Sequence, residues 1–176
     1  HAGEDIMLCD ISNATLSANN PGVGTGQWSL YSGSLNIQNT ANPLSTVNGI
    51  DEGTHVLVWK ITNGACEDTD SLDIVRDTLI EADAGMFQHV CETDTAILDA
   101  NNASPGTGIW SVVQGNANFI EDDNPQTVIT LLEYGENVLR WSISNGGCLS
   151  SDTVHVFRDS VVTPDAGPDL MLCDVD

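Results

Sequence analysis

"GTHVLVWKITNGAC" (Gly53–Cys66) and "GENVLRWSISNGGC" (Gly135–Cys148) are one pattern written twice, 82 residues apart. In the first, Leu57, Trp59 and Ile61 occupy alternate positions; in the second, Leu139, Trp141 and Ile143 repeat them. The positions between change from Val58 and Lys60 to Arg140 and Ser142. Side chains of an extended strand alternate between two faces. The unchanged face is therefore the buried one and the variable face meets water. Asn-Gly accepts a left-handed backbone at low cost, so each strand should turn back through a hairpin just before its cysteine.

The same offset holds outward from this stretch. Ala2-Gly3 and Ala84-Gly85, Cys9 and Cys91, Trp28 and Trp110, Asn42-Pro43 and Asn124-Pro125, Arg76-Asp77 and Arg158-Asp159 all match. Aligning residues 1–77 with 83–159 without a gap gives 28 identities. Pro164–Asp176, "PDAGPDLMLCDVD", restarts the pattern, with Ala166-Gly167 and Cys173 at the expected places. The reading is a window on a tandem array: residues 1–78 as repeat 1, 79–160 as repeat 2, and 161–176 as a linker and the first strand of a third. A period of 82 exceeds that of solenoid repeats and suits a small domain with its own core.

Helical periodicity is missing. Short β-branched runs bounded by Gly, Asn, Asp and Pro predict seven strands in repeat 1, near 6–9, 14–18, 27–31, 35–38, 45–48, 55–62 and 71–76. That pattern predicts an all-β fold, an antiparallel sandwich. Leu72 and Ile74, with Val154 and Val156, should face inward, as should Ala14, Leu16 and Ala18 with Ala96, Leu98 and Ala100. Trp28 and Trp110 follow Gly-rich turns, "GTGQWS" and "GTGIWS". They read as core anchors alongside Trp59 and Trp141, with a sugar-stacking platform as the alternative.

The chain carries 26 acidic and 4 basic side chains, a formal net charge of −22, with 40% hydrophobic residues. So negative a chain repels nucleic acid and anionic membranes. No apolar run reaches the roughly 18 residues of a membrane span, and no signal peptide is visible.

Five cysteines become two per repeat plus Cys173, which is unpaired within the chain. The expectation is one bridge per repeat, Cys9–Cys66 and Cys91–Cys148, each closing a loop of 57 residues. Such a loop is worth about 4 kcal/mol in chain entropy, and bridges imply an oxidising, extracellular setting. A daisy-chain bond Cys66–Cys91 and free thiols are the alternatives. No C-x-x-C pair supports zinc.

No catalytic constellation stands out. His1, His55, His89 and His155 do not recur at the offset and read as exposed strand histidines. No phosphate-binding Gly loop with Lys is present. The linkers "VRDTLIEADAG" and "FRDSVVTPDAG" are acidic. Asp51, Glu52, Asp77, Glu81 and Asp83 could converge at one pole, with Glu133 the counterpart in repeat 2, and supply oxygen ligands to Ca²⁺. Otherwise Arg76 pairs with a neighbouring carboxylate and the rest are solvated. No cofactor is required. Asp70 and Asp152 read as hydrogen-bonding residues at a strand start.

The ordered set "DAGPDLMLCD", "ATLSANNP", "GTGQWS", "GTHVLVWKITNGAC" and "SLDIVRD" resembles the Ig-like or PKD-like repeats of giant gliding-motility surface adhesins, of the SprB type, in Bacteroidota. The likeness covers the whole chain. It implies tandem immunoglobulin-like β-sandwiches, export by the type IX system, display on the cell surface and no catalytic residues. Repeat 2 departs from the usual motif, with "GMFQHVCETD" and Phe87 where an acidic residue is usual. The expected role is a stalk projecting an adhesive tip, its partners being neighbouring repeats. The alternative is a module binding polysaccharide or a surface multivalently. That would call for matching exposed aromatics, yet Tyr31 and Tyr134 do not match at the offset.

Overall fold

The computed structural model describes residues 1–169. Cys173 and the third repeat's expected first strand lie outside them. Among the described residues all regular elements are strands. Repeat 1 contains β1 (Ile6–Cys9), β2 (Asn13–Thr15), β3 (Thr25–Ser32), β4 (Asn36–Ile37), β5 (Thr46–Asn48), β6 (Gly53–Asn63) and β7 (Cys66–Asp77). Repeat 2 contains β8 (Gln88–Cys91), β9 (Ala96–Ile97), β10 (Thr107–Gln114), β11 (Asn118–Phe119), β12 (Val128–Thr130), β13 (Gly135–Asn145) and β14 (Cys148–Asp159).

Each repeat pairs a four-stranded sheet with a three-stranded one. The orders are β1-β7-β6-β3 and β2-β5-β4, then β8-β14-β13-β10 and β9-β12-β11. The hairpin read from the opening stretch pairs β6 with β7 from Gly53↔Arg76 to Asn63↔Cys66, and β13 with β14 in the same way. One pairing differs from the antiparallel expectation. β1 runs parallel to β7, Ile6↔Ile74 through Cys9↔Asp77, and β8 runs parallel to β14. β6 occupies one edge of β7, and β1 joins the other edge running the same way. The end of the first strand therefore lies beside the end of the last, at the same pole.

β7 begins at Cys66, five residues before the expected start. Its first half is exposed on both faces and pairs with β6 as a projecting ribbon, held by the Lys60–Glu67 ion pair. Asp and Thr there carry no hydrophobic alternation, so the sequence hides the extension.

Two separate clusters form the cores. Leu16, Trp28, Val47, Leu57, Trp59, Leu72 and Ile74 are buried in one; Leu98, Trp110, Ile129, Leu139, Trp141, Ile143, Val154 and Val156 are buried in the other. Ile61 and Ala14 pack at the edge of the first, partly buried. The indoles of Trp28 and Trp59 meet at 5.0 Å, and those of Trp110 and Trp141 at 5.1 Å. Trp28 and Trp110 are 1% and 3% exposed, so neither is a stacking surface for a sugar. Gly26 and Gly108 lie under the rings of Trp59 and Trp141, where a Cβ would overlap the indole. The Gly before each Trp is thus a packing requirement across strands, not only a turn residue.

Candidate functional site

The site the structure builds is the junction of the two repeats. Cys9 ends β1 and Cys148 opens β14, and the two are joined in a disulfide with their Cα atoms 5.1 Å apart. This corrects the expectation of a bridge inside each repeat. Among the described residues Cys66 and Cys91 are exposed free thiols, and they are not joined to each other. The physical reason is the parallel pairing. Cys9 lies opposite Asp77, at the far end of β7 from Cys66. Eleven residues of strand at about 3.3 Å each put roughly 36 Å between them. The hairpin of the next repeat is the partner within reach.

The residues around the bond carry the linker across. Asp77 accepts a hydrogen bond from the Gly147 N–H at 2.9 Å, and the Asn145 amide donates to the Thr78 carbonyl at 2.8 Å. The Leu79 N–H donates to Asp10 at 3.2 Å, and the Asp10 N–H to the Asp77 carbonyl at 3.0 Å. On the repeat 2 side, Asn101 donates to the Glu81 carbonyl at 2.8 Å and Ser150 accepts from the Ala82 N–H at 3.0 Å. Ile80 and Ala82 pack against the core of repeat 2. Backbone groups at Thr78, Leu79, Glu81 and Ala82 therefore all have partners on one repeat or the other. Gly146 turns the hairpin with φ +52°, and a Cβ there would overlap the Asp77 carboxylate. The hairpin docks because that position has no side chain.

Of the acidic residues expected to offer oxygens to a cation, Asp77 and Asp83 accept backbone N–H groups with their carboxylates, from Gly147 and, at 2.9 Å, from Gly85. Asp51 and Glu81 use their backbone carbonyls, toward the His55 ring and Asn101. Glu52 is exposed. Among the described residues no three His, Cys, Asp or Glu side chains gather as a metal site. Among the described residues Arg76 pairs with no carboxylate; it donates to the Ile50 carbonyl at 3.2 Å, as Arg158 does to Leu132 at 2.8 Å.

Asp70 and Asp152 sit within the long last strands rather than at their starts. They accept from the Ala2 and Ala84 N–H groups at 2.7 and 2.9 Å, latching the entering chain onto each sheet. The Ala2 hydrogen bond is the main reason the Asp70 carboxyl lies below its ordinary value.

His55 corrects the picture of exposed histidines: it is 3% exposed, with Nδ1 accepting the Ser34 N–H at 2.9 Å and Nε2 donating to the Asp51 carbonyl at 2.8 Å. Asn137, fully buried at the equivalent position, accepts from the Asn116 N–H at 3.0 Å and donates to the Glu133 carbonyl at 2.9 Å. Two residue types do one job, which hid it from a comparison by identity.

No known protein family matches the chain, and no curated protein does. Solved structures do. Extracellular domains 3–5 of Drosophila OTK superpose with a TM-score of 0.61 at 12% identity, covering 89% of this chain and 59% of that one. The chain thus spans less than two thirds of that structure. A PKD domain from KIAA 1837 protein matches with a TM-score of 0.43 at 20% identity, covering 49% of this chain and 93% of that one. Titin domains I67–I69, in an E-to-A variant, give 0.49 at 9% identity, covering 90% of this chain and 64% of that one. The fold is all-β and immunoglobulin-like. No helix among the described residues is long and apolar enough to cross a membrane.

Proposed function

We propose that this chain is part of the stalk of a large extracellular adhesin, a run of sandwiches that holds a distal adhesive region away from its base. The observation that carries the reading is the Cys9–Cys148 bond between repeats, with its hydrogen-bonded linker. A disulfide across a junction removes bending freedom that a spacer must lack, and it does nothing for a pocket. Each repeat contributes about 35–40 Å, the length of its twelve-residue last strand. A net charge of −22 keeps neighbouring stalks apart. Disulfides persist in oxidising compartments, which supports an extracellular site. The sequence resemblance supports the finer reading of a gliding-motility adhesin exported by the type IX system and shown on the cell surface.

A glycan array probed with the 176-residue chain tests the spacer against the carbohydrate-binding reading. The expected result is no selective binding. Strong binding to one glycan class would overturn the spacer reading.

A further inference from the structure

Cys66 is Cys148 shifted by one repeat, and Cys91 is Cys9 shifted by one repeat: 148 − 82 = 66 and 9 + 82 = 91. One pair is bonded across the junction; the other two are exposed thiols at opposite ends. We propose that Cys66 and Cys91 are the two open halves of this same bond, each pairing with an adjoining copy of the repeat, so that every junction in the array carries a disulfide.

The apparatus around each half is already formed. At Cys91, the Glu92 N–H donates to the Asp159 carbonyl at 3.0 Å, as Asp10 does to Asp77. The Glu92 carboxylate accepts the Val161 N–H at 2.7 Å, as Asp10 accepts Leu79. Cys91 lies opposite Asp159 in the register that sets Cys9 opposite Asp77. So the departing linker leaves repeat 2 along the route it takes from repeat 1. At the other end, Asn63 pairs with Cys66 as Asn145 pairs with Cys148, and Gly64 turns with φ +64° where Gly146 has +52°. Asn63 presents the amide that, at Asn145, reaches the linker carbonyl. Ala65 replaces Gly147, where an added Cβ would make ordinary contact with Met7. A pole like that of repeat 1 therefore tolerates the one change between Asn63 and Cys66; on repeat 2 the places of Met7 and Asp77 are held by His89 and Asp159, which meet at 2.8 Å.

The contact is head-to-tail: the hairpin pole of one repeat on the first-strand pole of the one before. Such a contact leaves one open half at each end and can be repeated along a tandem chain. Bond formation needs an oxidant, here a low-molecular-weight disulfide. The Cys91 thiolate attacks it, forming a mixed disulfide and releasing one thiol. The neighbouring hairpin thiolate then displaces the second thiol. The two protein thiols give up two electrons and two protons, and the oxidant becomes two thiols.

The inference rests on reading the chain as an array, and its test is independent of ligand binding. A chain of residues 1–164 followed by a second copy of residues 1–77 places repeat 1 after repeat 2. Glu67→Asp in the second copy gives its cysteine peptide a distinct mass. The chain is refolded in a glutathione redox buffer, alkylated, and mapped without reduction. The expected map joins Cys9 to Cys148 and Cys91 to Cys66 of the second copy, with the first copy's Cys66 and the second copy's Cys9 alkylated. Cys91 recovered as an alkylated thiol, or joined to Cys66 of the first copy, would overturn the proposal. The Cys9–Cys148 peptide in the same digest shows that the first junction has formed. A positive glycan array would leave this map unchanged.

Discussion

His55 and Asn137 show how little residue identity says about a buried polar role. Both cap the same loop from the inside, one with an imidazole and one with an amide. His55→Asn should therefore keep stability close to the parent. His55→Ala leaves the partly buried Ser34 N–H and Asp51 carbonyl without their ring partner and should cost about 1–3 kcal/mol. Urea denaturation of both variants checks this; equal losses would show that packing, not hydrogen bonding, is what matters there. Gly26 makes the complementary case. Its missing Cβ is the space that the Trp59 ring fills. Gly26→Ala should destabilise repeat 1 by about 1–3 kcal/mol through overpacking, while the melting of repeat 2, whose core is separate, changes little. A thermal melt resolved by the tryptophan fluorescence of each repeat would show a split transition.

At the scale of elements, the last strand of each repeat is the member on which others depend. It holds the first strand, the hairpin partner and the latch from Asp70 or Asp152 to the entering chain. The Asp70 carboxyl is lowered chiefly by the Ala2 hydrogen bond. The folded state then prefers the ionised form, so its stabilisation is complete above the ordinary aspartate value of about 3.9 and is lost as pH falls through the lowered folded value. Asp70→Asn should make the acid side of the stability profile shallower, read from urea midpoints at pH values from neutral down through that window. An unchanged slope would remove the latch from the account. The hairpin strand pair makes a second prediction. Gly146→Ala places a Cβ in the Asp77 carboxylate, so the hairpin should fail to dock and Cys9–Cys148 should form in reduced yield, measured by non-reducing peptide mapping. Full yield would show that the junction adjusts around the methyl.

For the whole molecule, the disulfide governs orientation more than folding. It spans 139 residues, for which chain entropy alone gives about 5 kcal/mol. The two repeats have separate cores, so unfolding either one alone frees only part of that loop and only part of that figure applies. Cys148→Ser should leave each repeat folded and release the angle between them. Small-angle scattering should then change from a single narrow distance distribution to a broad one, while the melting temperature moves only a few degrees. An unaltered distribution would place the rigidity in the hydrogen-bonded linker alone. The 82-residue period and the alternation in Leu57-Trp59-Ile61 were enough, by themselves, to determine the repeats, the all-β class and the inward faces, because those features are local or recur at a fixed spacing. The partner of Cys9 was decided only in three dimensions. Whether a first strand joins its sheet parallel or antiparallel leaves no mark in its own residues, yet it places the cysteine beside its own hairpin or beside the next repeat's. The same holds for His55: its burial depends on a loop that folds over it, and nothing in its neighbours along the chain encodes that closure.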